Sequence, residues 1–137
     1  MHSTLQQHAE LAQHIHALTP PEQHKINRRL AKTDLFFLLT TILGRRDAFK
    51  QWILERCIEI SANPNGYLDL WARDHYKSTI ITFALTIQDI LNDPEETFGI
   101  FSHSAKIAKG FLMQIKREFE NNKTLIILLD KKMRDSM

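Results

Sequence analysis

A single cysteine, Cys57, in a chain of 137 residues excludes an internal disulfide and a multi-cysteine zinc site, and it suits a reducing compartment. Long apolar runs are also lacking. The longest, Leu35 to Leu39 resuming at Ile42 and Leu43, is about half of what a membrane span needs. The start, Met1-His2-Ser3-Thr4-Leu5-Gln6-Gln7, has no basic stretch leading into an apolar core, so no secretory signal is visible. Without export, the sequon Asn122-Lys123-Thr124 carries no meaning. An excess of one charge is missing too: 18 basic and 16 acidic residues give a formal +2, too little to announce a nucleic-acid binder. No internal repeat or low-complexity tract occurs. The expectation is a soluble, intracellular chain with ordinary globular composition, 43% apolar and 25% charged.

What is present reads first as helix. Leu5, Ala9, Ala12, Ile15 and Leu18 recur at helical steps, and Thr19-Pro20-Pro21-Glu22 is a break and restart with a capping-box spacing. Ile26 and Leu30 continue the second helix. Asp34 is placed to cap a third, nearly all apolar, that Gly44 stops. Phe49, Trp52, Ile53, Cys57 and Ile60 mark a fourth helix ending near Ser61, with Phe49 and Trp52 read as core. After the turn signal Asn63-Pro64-Asn65-Gly66 the texture changes. Tyr67 to Trp71 and Thr97 to Ser102 read as strands, Lys77 to Leu91 and Ala105 to Asn121 as helices, and Leu125 to Leu129 as a possible third strand. The fold class expected is therefore α/β: a helical region over 1–62, then over 63–137 the incomplete start of a parallel sheet, strand-helix-strand-helix.

The chemistry concentrates where the first expected strand runs through a polar loop into Lys77-Ser78-Thr79 at a helix start. Unpaired amides and the positive end of a helix attract phosphate there. In a phosphate-binding loop, Lys77 reaches the β- and γ-phosphates and the Ser78 hydroxyl ligates magnesium. The standard pattern has glycines where this chain has Trp71 and Tyr76, so the spacing alone leaves an exposed polar loop as an open alternative.

The stretch Trp71-Ala72-Arg73-Asp74-His75-Tyr76-Lys77-Ser78-Thr79-Ile80-Ile81-Thr82, with Arg73 four residues before Lys77, resembles the variant Walker A motif of large terminase subunits of tailed bacteriophages. Gly99 to Asn122 resembles the strand and helix that follow it in that family, and the likeness covers about Ile26 to Lys123. It implies the N-terminal part of a DNA-packaging ATPase, using ATP and Mg2+ in the bacterial host cytoplasm. Its partners would be double-stranded DNA, the small terminase subunit and the portal protein, with no membrane, and it would be oligomeric only at full length. Residue by residue, Lys77 would bind phosphate, Ser78 or Thr79 would hold magnesium, and Arg73 would approach the γ-phosphate as sensor or finger, its planar fork suiting phosphate oxygens. Asp74 would point away or pair with Arg73. His75 would contact nucleotide or DNA, or stand in solvent. Tyr76 in place of glycine would weaken the close backbone approach.

The family's later catalytic parts have no counterpart here. The candidate for its magnesium-binding strand is Leu125 to Leu129 ending at Asp130, but Lys131 follows where a water-activating glutamate is needed, so a core strand or divergent tail is the expectation. No nuclease carboxylate cluster follows either. A fragment of a phage or prophage gene is the simplest expectation. The alternatives are a non-catalytic helical protein- or DNA-interaction module with a vestigial P-loop, and an unstable remnant. His8, His14 and His16 read as surface residues rather than a metal site. Arg28-Arg29 and Arg45-Arg46 read as a solvated face, with DNA phosphates as the rival. Lys106, Lys109, Lys116 and Arg117 read as the solvent side of their helix.

Overall fold

The computed structural model describes residues 4–65, 68, 70–71 and 75–129. Helices account for every regular element among them. Helix α1 (Leu5–His16) starts at a capping box in which the Gln7 N–H donates to Thr4 Oγ1 at 3.3 Å and Thr4 N–H to Gln7 Oε1 at 2.9 Å. Helix α2 (Pro20–Thr33) restarts after Thr19, whose N–H and hydroxyl both donate to Glu22 Oε2 at 3.1 and 2.6 Å. Asp34 ends α2 and caps α3 (Leu35–Phe37), accepting from Phe37 N–H at 2.9 Å.

Helix α3 runs on into a wide π-type turn, Leu38–Ile42, closed by Leu43 N–H donating to Leu38 O at 2.8 Å. Gly44 then reverses the chain at φ +70°, a left-handed value that a side chain resists. A single 3₁₀ turn (Arg46–Ala48) leads to α4 (Gln51–Ala62). Later come a second wide helical segment, Ser78–Leu85, continuing without a break as α5 (Thr86–Asn92), then α6 (Ala105–Asn121) and α7 (Lys123–Leu128).

The core lies around the apolar segment 35–43. Phe36, Leu38 and Leu39 are fully buried together with Ile53 and Leu54 of α4, Ile80 and Phe83 of the wide helix, Ile87 of α5 and Leu125 of α7. Each such side chain contributes about 1.5–3 kcal/mol on burial, and this tertiary term is what makes helices this short stable. Two polar ties fix the register. Gln88 Nε2 donates to Ala31 O at 3.2 Å, and Asn92 Nδ2 to Lys32 O at 2.9 Å, seating α5 on the C-terminal end of α2. Asn122 Nδ2 donates to Ile42 O at 2.9 Å, pinning the α6–α7 junction to the end of the π-type turn.

The expected α/β class is overturned: among the described residues there is no strand, and so no parallel sheet. A strand exists only by pairing, and among the described residues of the three expected runs no ladder forms. Leu68 and Leu70 are 81% and 85% exposed, while Tyr67 and Asp69 lie outside the described residues. In Thr97 to Ser102 the alternation is real, with Phe98 and Ile100 half-buried between exposed Gly99 and Phe101. That inward side, however, lines a cavity of about 380 Å³ together with Ile90 of α5 and Ala108 and Ile115 of α6 rather than facing another strand. Leu125 to Leu129 is mostly helix α7, because Asn122 Oδ1 accepts from Leu125 N–H at 3.1 Å and nucleates a turn locally. Leu125 and Leu128, three apart on one face, are buried and Ile127 is exposed.

Candidate phosphate-binding site

Lys77 stands exposed at the entry to the helical segment 78–92, in helical backbone at φ −53° and ψ −53°. Ile80 N–H donates to Tyr76 O at 2.8 Å, so the N–H groups of Lys77, Ser78 and Thr79 have no acceptor within the helix. Those amides, a lysine ammonium and the half-buried Ser78 and Thr79 hydroxyls lie in one turn. The arrangement suits an anion. Ser78, then Thr79, are the residues that would ligate magnesium beside bound phosphate.

The turn ahead of Lys77 is organised by Tyr76, whose φ of +62° is the one positive value of a non-glycine residue among those described. Its ring stands edge-on to Trp52 at 6.0 Å, with Lys50 Nζ 5.3 Å from the ring centroid. The Asp47 carboxylate accepts the Tyr76 hydroxyl, and this hydrogen bond, helped by desolvation, raises the phenol above its ordinary pKa of 10.0. His75, also exposed, places its ring 5.9 Å from that of Trp52. Arg56 lies 5.6 Å over Trp71, and Arg45 5.2 Å over Phe83 of the wide helix. The 3₁₀ turn and the start of α4 thus stand beside His75 and Tyr76.

Of the residues named from sequence, the structure brings His75, Tyr76, Lys77, Ser78 and Thr79 into this one turn. Arg73 and Asp74 lie outside the described residues, as does Asp130. Phe49 and Trp52, read as core, are instead 40% and 37% exposed. The buried stripe of α4 is Ile53, Leu54, Cys57 and Ile60, which turns Trp52 to its flank and toward the loop. Arg45 is half-buried on Phe83, whereas Arg29 and Arg46 are exposed. His14 and His16 are exposed, and no metal-holding group of His, Cys, Asp and Glu occurs among the described residues.

Sequence reasoning missed a second polar cluster. His8 Nε2 and Asp34 Oδ2 are 3.1 Å apart at a cleft of about 260 Å³ that Phe36, Leu54, Cys57 and Ser61 also line. The three titratable groups, 8, 34 and 57, are remote in the chain, and no spacing rule connects them. His8, expected at the surface, instead has a side chain only 10% exposed. Among the described residues no helix is long and apolar enough to cross a membrane. Comparison with protein-family models, curated proteins and solved structures finds no match to this chain.

Proposed function

We propose that the turn from Tyr76 to Thr79 binds the phosphates of MgATP, as part of the ATPase of a phage or prophage large terminase subunit that packages double-stranded DNA. The observation that carries this reading is Lys77, exposed at a helix start behind a left-handed residue at the position of a P-loop glycine. Support for the packaging role is the sequence likeness around Arg73 and Lys77. In that role ATP and Mg2+ are the ligands, with the small subunit and portal as partners in the host cytoplasm. Among the described residues the carboxylate facing the turn is Asp47, which is engaged by Tyr76 and so is unsuited to activating water. Binding without appreciable turnover is the expected behaviour.

The test is titration of the purified chain with a fluorescent ATP analogue and Mg2+, alongside Lys77→Ala. Weak binding that Lys77→Ala removes supports the reading; identical binding by both chains overturns it. Robust steady-state hydrolysis abolished by Lys77→Ala would show that the water-activating machinery is present after all.

One observation favours a second reading, a helical interaction module with a vestigial phosphate loop. The described residues are all-helical and leave Leu68, Leu70, Phe101 and Leu112 largely exposed, as an unmet binding face would be. Under that reading Lys77→Ala leaves partner or DNA binding unchanged, and alanine at Arg45 and Arg46 weakens it.

A further inference from the structure

A residue with a β-carbon is strained at positive φ, and glycine is not. The chain nevertheless has tyrosine at the position before Lys77, at φ +62°. Something outside the backbone must hold it there, and three contacts are in place. Trp52 meets the ring edge-on at 6.0 Å, Lys50 lies 5.3 Å from its centroid, and Asp47 accepts the hydroxyl. All three come from the 3₁₀ turn and the start of α4, elements fixed to the core through buried Ala48, Ile53 and Leu54. Only a long side chain with an aromatic face and a polar tip satisfies all of them at once.

We infer that Tyr76 is a positioning residue, its side chain moored to the start of α4 so that the turn before Lys77 keeps the left-handed geometry that a glycine would adopt unaided. The role rests on the phosphate-binding reading of Lys77 given above. A left-handed residue followed by the helical Lys77 turns successive N–H groups toward one side, the concave arrangement that receives an anion. The mooring thus replaces the flexibility of the missing glycine with a fixed anchor. It also makes Asp47, Lys50 and Trp52 contributors to phosphate binding although none need touch the ligand.

The experiment compares Tyr76→Gly, Tyr76→Phe and Tyr76→Ala in the full chain, with Lys77→Ala as control. Binding of magnesium tripolyphosphate and MgATP is read from the amide resonances of residues 77 to 79. Alanine keeps the β-carbon and loses the mooring, so it weakens binding by about 5- to 30-fold. Glycine loses both and binds within about threefold of the natural chain, a rescue that a mere packing role does not produce. Phenylalanine, keeping the ring contacts without the hydroxyl, falls between. A second arm needs no ligand: Asp47→Ala shifts the amides of residues 77 to 79 in the tyrosine chain, but leaves them unmoved when residue 76 is already glycine. Glycine binding no better than alanine, or Asp47→Ala acting equally in both backgrounds, overturns the inference. If Lys77→Ala binds like the natural chain, the phosphate reading falls, while the ligand-free arm still judges the mooring.

Discussion

Replacing Asp34 with alanine removes two interactions of different kind, and the structure allows their separate sizes to be estimated. One carboxylate oxygen caps α3, accepting from Phe37 N–H at 2.9 Å, and a lost cap of this type costs about 1 kcal/mol. The other faces His8 Nε2 at 3.1 Å, with side-chain exposures of only 10% for His8 and 29% for Asp34. A hydrogen bond to a charged group in such a setting contributes about 1.5–3 kcal/mol. Together Asp34→Ala should cost roughly 2.5–4 kcal/mol, or roughly 10 °C in Tm for a chain of this size. Asn at this position can still cap, so Asp34→Asn should lose the His8 share alone.

The pH dependence separates the shares further. Hydrogen bonding to Asp34 raises the His8 pKa above its ordinary 6.5, against the opposing effect of burial. The stabilisation from the His8 side is therefore fully present below 6.5 and is lost as pH rises through the raised value. For Asp34, burial acts to raise the pKa, but the hydrogen bonds from His8 and from Phe37 N–H outweigh it and the net shift is below the ordinary 3.8. Its contribution is present above 3.8 and fades as pH falls through the lowered value. Urea denaturation of natural chain, Asp34→Asn and Asp34→Ala from about pH 5 to pH 9 reads both effects. The gap between the natural chain and Asp34→Asn should be widest at the acidic end and shrink as pH rises. A gap that stays flat across that range, or an Asp34→Asn as damaging as Asp34→Ala, would refute the reasoning.

Cys57 is 2% exposed and its thiol is pushed up to about 12, by burial first and by the Asp34 charge second. It should resist a thiol-specific dye at neutral pH until urea unfolds the chain, and prompt labelling of the native protein would contradict this. Asn122 donates to Ile42 O and to Glu118 Oε2 and accepts from Leu125 N–H, so Asn122→Ala should cost about 2 kcal/mol in urea denaturation, while Asn122→Asp should keep the α7 cap but lose both donated bonds and set its carboxylate against that of Glu118.

Most helices were legible because their signals are local. Thr19 with Glu22, Asp34 with Phe37 and Gly44 at φ +70° each act within a few residues of the boundary they set. The strands were misread for the opposite reason. Tyr67 to Trp71 and Thr97 to Ser102 have the composition of strands, but composition cannot provide the neighbouring chain that a ladder requires. Periodicity in five residues also cannot tell Leu125 to Leu129 as helix from strand, and the cap at Asn122 was the overlooked cue.

At the candidate site the division is similar. By itself the sequence determined that Lys77-Ser78-Thr79 opens a helix, since a polar loop passing into the apolar spacing of Ile80, Phe83, Ala84 and Ile87 is read within one stretch of chain. Only the tertiary structure decided that Tyr76 would stand at φ +62° against Trp52, Lys50 and Asp47, or that His8 would meet Asp34. Those partners lie about 25 residues away along the chain, and what joins them is burial of the core between them, a sum over many side chains that no local motif encodes.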